Sequence, residues 1–343
     1  KWSTGSNYNN RKSGTSGGSC PKCVFKMSSG KESVANGTAG HQYQGILERA
    51  LFSTLTTVPC CVFLFINGTM LFTLRSKPVF YETPRYVLLF NLLFADTVQM
   101  TLSQLMYVIA ACRIRLTYPV CGFLSMIADL TNEVSPLTLV VMSVERYVAV
   151  CYPLRHAAII TVRNTGVAIL LVWTFCSLNV LTRVVLLLEF PFEELESLQM
   201  KDFCSDIAML VGSLSDHYDR VYTCFLFISA TVAITSSYIG VMVAARSAST
   251  DRASAQKARN TLLLHLLQLG LSLSSTIYNP LLVALSRVVR RLVFVRVQNV
   301  FYLCIFIFPR CLSSLIYGIR DQTIRPILIY HLCCKLKLPA VTA

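Results

Sequence analysis

The sequence predicts an all-α membrane protein: a seven-transmembrane helix bundle followed by a short amphipathic C-terminal helix. Two observations predict this fold. Of the 343 residues, 54% are hydrophobic and only 14% are charged, whereas soluble domains carry roughly 25% charged residues. Seven apolar stretches also reach the length of about 20 residues that a helix needs to cross the hydrocarbon core of a bilayer.

The predicted spans are separated by short connections, except for the long segment 189–220. Polar residues interrupt the third to seventh spans, as expected where helices face each other and not lipid. A transporter is the main rival for such a chain, but no internal repeat of the kind found in transporters is visible. The predicted spans are residues 51–74, 86–111, 121–150, 164–188, 221–245, 261–285 and 297–317.

The distribution of Lys and Arg predicts the orientation of the spans. The connections after the first, third, fifth and seventh spans carry far more bases than acids, whereas the opposite connections carry equal numbers. Because connections rich in Lys and Arg stay in the cytoplasm, we expect an outside N-terminus and a cytoplasmic C-terminus. The predicted division is an N-terminal arm over 1–48, a bundle over 49–318, and a cytoplasmic amphipathic helix with a tail over 319–343.

Both terminal regions contain modification motifs. The arm is rich in Gly, Ser, Asn and Lys and too polar to fold alone, and Asn36 opens an N-glycosylation sequence in it. After the seventh span, "GIRDQTIRPILIYHLCC" alternates basic and apolar residues, which predicts a helix on the inner membrane surface. Cys333 and Cys334 follow as palmitoylation candidates, and unmodified thiols are the alternative.

Composition and motifs also exclude several classes of function. The net charge is +14, but the bases lie between apolar segments and not on one domain, which argues against nucleic-acid binding. The sequence offers no recognisable nucleophile–base pair, phosphate-binding loop or metal-ligand cluster. We therefore expect no enzyme activity, no metal and no cofactor.

Ordered motifs follow the predicted spans. The third span has Cys121 near its start and ends in "MSVERYVAVCYPLRH", residues 142–156, where Glu145, Arg146 and Tyr147 are adjacent. The other motifs are Asn67 in the first span, Asp96 in "LLFADTVQ", Trp173 in the fourth span, "KARNTLLLH" over 257–265 and Tyr317 in "SSLIYGIRD". Over about residues 50–335, this order and spacing resembles the rhodopsin-like (class A) G-protein-coupled receptors, and most closely the fish-type odorant receptors.

The resemblance implies an activation switch at the inner end of the third span. In such receptors the arginine pairs with its acidic neighbour at rest and turns toward the fifth and sixth spans on activation. Arg146 would accordingly leave Glu145, with Tyr238 and Tyr317 as its new partners. The alternative is that Arg146 only anchors the helix at the inner membrane surface.

The resemblance also implies a disulfide between Cys121 and Cys204. This bond would tie the third span to the long connection 189–220. The outer surface of a cell is oxidising, so such a bond persists there. Two unpaired thiols are the alternative.

The chain departs from the pattern of these receptors in the seventh span. Ser313 and Ser314 stand where the family has Asn-Pro, and Arg310 is an unusual charge there. In the wider family a sodium ion and water accompany the aspartate that matches Asp96. We hypothesise that the Arg310 guanidinium replaces the ion; backbone carbonyls are the alternative partners of Arg310. The expected buried polar core comprises Asn67, Asp96, Arg310 and Ser313.

Two acids of the third span mark the expected ligand site. Asp129 and Glu133 are four residues apart and share one helix face, two to three turns from Cys121, at the depth where the resembling family binds ligands. A cationic ligand such as an amine is one interpretation. The alternatives are pairing with Arg183 or Asn132, or protonation of one acid. Asn132, next to Glu133, is a further ligand-contact candidate, and by resemblance alone so are Thr276, Tyr278 and Asn279 of the sixth span.

The resemblance implies an odorant receptor of the plasma membrane. Such a receptor binds a small water-borne odorant from outside and activates a heterotrimeric G protein inside. Its expected partners are thus a small-molecule odorant, a heterotrimeric G protein and the lipid bilayer. The alternatives are a receptor of the same class for an amine or a peptide outside olfaction and, less favoured, a transporter or channel.

Overall fold

The computed structural model describes residues 38–188, 204, 213–247, 278–289 and 291–332, with single positions between 263 and 274. These residues are helical apart from short connections, and no β-strand occurs among them. The chain divides into two units, residues 1–46 and 47–343. Of the first unit, only residues 38–46 are described, and they are helical.

Six helices within the described ranges are long and apolar enough to cross a bilayer. The predicted sixth crossing, 261–285, lies mostly outside the described residues, which include its end in the helix Tyr278–Val288. Each crossing keeps the ordinal of its predicted span. The bounds are first Ala50–Ser76, second Pro84–Ala111, third Tyr118–Cys151, fourth Val162–Leu188, fifth His217–Ala244 and seventh Arg296–Ile319.

Two of these spans belong to longer helices. The first lies in the helix Thr38–Ser76, which begins inside the segment predicted as the N-terminal arm, and the fifth lies in the helix Ser213–Ser247. Three short helices follow the first, third and seventh spans. They are Pro78–Tyr81, Pro153–Ile159 and Ile324–Leu332.

Prolines set the points where several helices begin. Thr83 and Thr117 precede the second and third spans with extended backbone, and Pro84 and Pro119 follow in the first turn of each helix. Proline suits the first turn because the N–H that it lacks has no intrahelical partner there and its fixed φ matches the helix. The helix Pro153–Ile159 also has a proline in its first turn.

The seventh span changes its winding midway. The helix Arg291–Phe301 continues into a π-helical segment, Tyr302–Ile307, and then into the helix Phe308–Arg320. Pro309 follows the π segment and has no N–H to donate, which weakens the backbone ladder at this point. Single π-helical turns are frequent at functional sites, and this segment ends three residues before Arg310.

The third span lies at the centre of the bundle, because it packs against the second, fourth and fifth spans. Near its end, Leu139 and Met142 are buried in one apolar cluster with Leu92 of the second span. The fourth span instead presents apolar side chains outward: Leu170 is 66% exposed and Leu181 is 57% exposed. Such a surface is covered by lipid tails when the helix crosses a bilayer.

The helix Ile324–Leu332 is fixed at both of its ends. The Asp321 Oδ1 accepts hydrogen bonds from the backbone N–H of Thr323, just before the helix, at 3.0 Å and from that of Ile324, its first residue, at 3.3 Å, and so acts as an N-terminal cap. Near the other end, the His331 ring forms a hydrogen bond of 3.0 Å with Thr73 Oγ1 of the first span. The short helix is therefore held against the first span.

Candidate functional site

Three clusters of polar side chains lie along the third span. Each is named after its arginine: the Arg183 cluster nearest the start of the span, the Arg310 cluster in the middle, and the Arg146 cluster at the end. Cys121 and Arg146 are separated by about 37 Å of helix, at a rise of roughly 1.5 Å per residue. The two ends of the bundle are called the disulfide end, at Cys121, and the Arg146 end.

The Arg310 cluster, formed by Asp96, Asn132, Ser135 and Arg310, joins the second, third and seventh spans. The Arg310 Nη1 lies 2.8 Å from Asp96 Oδ1, and its Nη2 donates a hydrogen bond of 2.5 Å to Asn132 Oδ1. Ser135 Oγ donates to the same Asp96 oxygen at 2.7 Å. Arg310 is 3% exposed and Asp96 is 2% exposed, so each buried charge has the other as its counterion.

A second buried network ties the second span to its neighbours. The Trp173 indole N–H donates to Asn91 Oδ1 at 2.8 Å, and Asn91 Nδ2 donates to Thr138 Oγ1 at 2.9 Å. One amide therefore connects the second, third and fourth spans. Asn67 of the first span is fully buried, and its Nδ2 lies 3.9 Å from the Met100 sulfur.

The Arg183 cluster gathers three carboxylates around one guanidinium. The Arg183 Nη2 lies 2.7 Å from Asp219 and 3.7 Å from Glu133, and its Nη1 lies 3.6 Å from Asp129. These contacts join the third, fourth and fifth spans, and pairing with Arg183 is one of the alternatives that the sequence left open. The cluster comprises Asp129, Glu133, Asn179, Arg183, Tyr218, Asp219 and Tyr222.

Neutral donors hold the Glu133 carboxylate. Asn179 Nδ2 donates to its Oε1 at 2.6 Å, and the Tyr222 hydroxyl donates to its Oε2 at 2.9 Å. The Tyr218 hydroxyl donates in turn to Asn179 Oδ1 at 2.8 Å. The Glu133 side chain is 6% exposed, whereas that of Asp129 is 23% exposed. Asp129 is therefore the more accessible of the two acids of the third span.

A disulfide joins Cys121 to Cys204, with a sulfur–sulfur distance of 1.97 Å and a Cα–Cα distance of 5.6 Å. Both cysteines are buried. The bond ties the start of the third span to the long connection between the fourth and fifth spans.

The Arg146 cluster pairs neighbouring charges at the other end of the third span. The Arg146 Nε lies 3.3 Å from Glu145 Oε2, and the two side chains are 20% and 8% exposed. The other carboxylate oxygen of Glu145 lies 3.8 Å from His156 Nε2. Within the described part of the chain, the Arg146 Nη2 has no hydrogen-bond partner. The ion pair therefore fixes this guanidinium only in part.

Tyr147 of the third span lies against Gly240 of the fifth. A Cβ added to Gly240 would overlap the Tyr147 ring, and the Cys151 thiol donates to the Gly240 carbonyl at 3.7 Å. Any larger residue at position 240 would therefore force the Tyr147 ring to shift. Of the two tyrosines expected to receive Arg146, Tyr238 is partly exposed on the fifth span. Tyr317 is 5% exposed in the seventh span.

Sequence reasoning missed a second acid at the Arg146 end. Both Asp321 carboxylate oxygens lie 3.2 Å from the Tyr86 hydroxyl, and Oδ2 lies 3.4 Å from Arg85 Nη2. Asp321 therefore connects the end of the seventh span to the start of the second. The sequence does show Arg85 and Tyr86 at the start of the second span and Asp321 after the seventh. It does not show that these residues are in contact.

Comparison with known proteins agrees with this architecture. The model of the 7 transmembrane receptor (rhodopsin family) matches residues 66–334. The chain belongs to this family. It is 32% identical over 305 residues to "Odorant receptor 131-2" of Danio rerio, which covers 88% of the chain and 92% of that relative. It is also 29% identical over 196 residues to "Olfactory receptor 2A1/2A42" of Homo sapiens, covering 55% and 60% of the two chains.

As a member of the rhodopsin family, the chain is a multi-pass membrane receptor and not an enzyme. The seven-helix bundle predicted from the sequence is confirmed. Six crossings lie within the described residues, and the helix Tyr278–Val288 belongs to the remaining one. The resemblance stated from the motifs is confirmed as well.

Several of the predicted site residues are only partly placed. Tyr278 begins its helix with its ring 5.8 Å from the Phe306 ring. Asn132, predicted as a ligand contact, has its amide oxygen on Arg310. Asn279 and Ser313 lie in helices, but their side chains are not among those described. Asn36, Thr276, Cys333 and Cys334 lie outside the described residues.

Proposed function

We propose that this receptor binds a small water-borne odorant at the disulfide end and activates a heterotrimeric G protein at the Arg146 end. The match over 88% of the chain to a protein named as an odorant receptor carries the proposal. The basic connections lie at the Arg146 end, which favours a cytoplasmic location for that end. The N-terminus is then outside and the C-terminus inside the plasma membrane.

Activation is a population shift, because a ligand changes an equilibrium only by binding one arrangement better than the other. The ion pair of 3.3 Å between Arg146 and Glu145 is the resting contact. On activation, Arg146 leaves Glu145 and approaches Tyr238 and Tyr317. The partly fixed guanidinium supports this role, since few hydrogen bonds have to break.

The Arg183 cluster supports a cationic ligand such as an amine. Its described groups include three acids and one base, so an ammonium group would offset the excess negative charge. Asp129 is the contact we favour, because its side chain is the most exposed of the three acids. Glu133 supports it from the next turn. Thr276, Tyr278 and Asn279 remain proposed contacts from the sixth span.

The test is a ligand screen in cells that express the receptor with an olfactory G protein. Cyclic AMP is measured after addition of water-soluble amines, carboxylic acids and alcohols. An amine response should appear, and Asp129→Asn should raise the half-maximal concentration about tenfold or more, the effect of removing a charge-assisted hydrogen bond. Glu82→Gln is the matched control, since Glu82 is an exposed acid at the Arg146 end.

Each alternative has its own result. Amine responses that survive both Asp129→Asn and Glu133→Gln would contradict the cationic ligand. Ligand-evoked current in cells without any G protein would indicate a channel or transporter. Expression confined to tissues other than the olfactory epithelium would favour a receptor for an amine or peptide outside olfaction.

A further inference from the structure

Three aromatic rings form a column that leads to Arg310. Tyr107 of the second span stacks on Tyr302 of the seventh, with centroids 5.3 Å apart and planes 6° apart. Tyr302 stacks on Phe306 at 5.6 Å and 16°. The Arg310 guanidinium carbon lies 5.1 Å from the Phe306 ring centroid. Tyr107, Tyr302 and Phe306 are called the aromatic column.

The winding of the seventh span places these groups in one line. Tyr302, Phe306 and Arg310 recur every four residues and so lie on one side of the helix. The first two belong to the π-helical segment. At the other end of the column, the Tyr107 hydroxyl donates to Asn299 Oδ1 at 3.4 Å. The column thus begins with a contact between the second and seventh spans in the half of the bundle that carries the disulfide.

Phe306 covers a buried cation whose hydrogen bonds are incomplete. Both Nη groups of Arg310 have polar partners in Asp96 and Asn132, but within the described chain its Nε has none. The face of an aromatic ring attracts a cation, and the attraction is strongest where water is excluded. Phe306 and the Asp96 carboxylate therefore both stabilise the guanidinium.

Tyr302 contributes its ring to the column and leaves its hydroxyl unused. It is 9% exposed, and its hydroxyl has no hydrogen-bond partner among the described residues. A buried tyrosine usually finds a partner for its hydroxyl. The position is therefore explained by ring stacking, which phenylalanine would supply equally well.

We propose that the aromatic column is a positioning device that holds Arg310 on Asp96 and so stabilises the resting arrangement of the receptor. The inference rests on the proposed function as a ligand-activated receptor. Separation of Tyr107 from Tyr302 in the disulfide half of the bundle withdraws Phe306 from the guanidinium. The ion pair between Arg310 and Asp96 then loses part of its support, and the equilibrium shifts toward the signalling state.

The experiment measures basal cyclic AMP per receptor at the cell surface, with no ligand added. Phe306→Leu removes the ring and should raise basal signalling several-fold, up to about thirtyfold for a desolvated cation–π contact. Phe306→Tyr keeps the ring, so its basal signalling should equal that of the wild type. Phe308→Leu is the matched control, because Phe308 is 50% exposed and lies outside the column.

Three further variants test where the effect arises. Tyr302→Leu should raise basal signalling, whereas Tyr302→Phe should leave it unchanged because only the unused hydroxyl is lost. In an Asp96→Asn background, Phe306→Leu should add nothing, since the ion pair is already broken. Normal surface expression with an unchanged basal level in Phe306→Leu, or an equal rise in Phe308→Leu, would overturn the proposal.

A second measurement separates this inference from the proposed function. If the receptor never signals, the proposed function fails, and the column is tested by unfolding of the purified receptor in lipid nanodiscs. The effects of Phe306→Leu and Asp96→Asn on stability should then be smaller together than their sum. Additive effects would refute the positioning role whether or not a G protein responds.

Discussion

Replacing Arg310 with methionine should strongly destabilise the receptor, because it leaves the Asp96 carboxylate buried without its cation. Methionine keeps much of the apolar stem and removes the guanidinium. Asp96 is 2% exposed, and its ion-pair distance to Arg310 is 2.8 Å. Removing one member of a buried ion pair costs about 3–5 kcal/mol, since the remaining charge is stripped of both water and partner.

The loss should be largely recovered when the acid is neutralised too. In the double variant Arg310→Met with Asp96→Asn no unpaired charge remains, and Ser135 Oγ keeps an amide oxygen as its acceptor. Asn132 Oδ1 still lacks its donor, which costs about 1–3 kcal/mol if water does not replace it. We therefore expect the double variant to be more stable than Arg310→Met alone.

The assay is denaturant unfolding of receptor purified in lipid nanodiscs, with the free energy of unfolding compared across wild type, both single variants and the double variant. Arg325→Met serves as the control, because Arg325 is exposed on the C-terminal helix, and its loss should change stability by less than about 0.5 kcal/mol. A loss below about 1 kcal/mol in Arg310→Met, or strict additivity of the single effects, would refute the buried ion pair.

Three further changes test other contacts. Cys121→Ser should destabilise the receptor by about 2–5 kcal/mol, since the disulfide closes a sequence separation of 83 residues; unchanged thermal unfolding under oxidising conditions would contradict this. Trp173→Phe removes the donor to Asn91 and should cost about 1–3 kcal/mol, read from the same unfolding curves; no loss would mean that the amide is satisfied otherwise. Gly240→Ala forces the Tyr147 ring to move, so surface expression or basal signalling should change relative to Gly166→Ala, whose added Cβ meets no atom within 4 Å; identical behaviour of the two variants would refute the close approach.

The sequence was most informative where one physical rule dominates. The hydropathy of whole segments located the six described crossings to within a few residues at most ends, because a bilayer demands long apolar helices whatever their neighbours. The depth of Asp96 and Arg310 along their helices was also predictable, since rise per residue is constant. Their pairing stayed a hypothesis, because equal depth in the membrane does not show that the two side chains face each other.

The other contacts could not be predicted, because the sequence does not show which neighbouring helix a side chain faces. Asn132 and Glu133 are neighbours in sequence, yet Asn132 contacts Arg310 of the seventh span and Glu133 contacts Asn179 of the fourth. Helical periodicity shows that two side chains diverge, but the identity of the facing helix depends on packing between distant segments. The π-helical segment is a further case, since Pro309 indicates a weakened ladder and not which turn widens.

The third span physically links the proposed ligand site to the buried ion pair. Successive residues of an α-helix point about 100° apart, so Asn132 and Glu133 hold this helix to the seventh and fourth spans in different directions. Asp129, one turn away, belongs to the Glu133 side through Arg183. Any rotation of the third span that draws Asp129 and Glu133 toward a ligand therefore also moves Asn132 relative to Arg310. Arg310 therefore contacts the central helix directly through Asn132, and this hydrogen bond depends on the orientation of that helix.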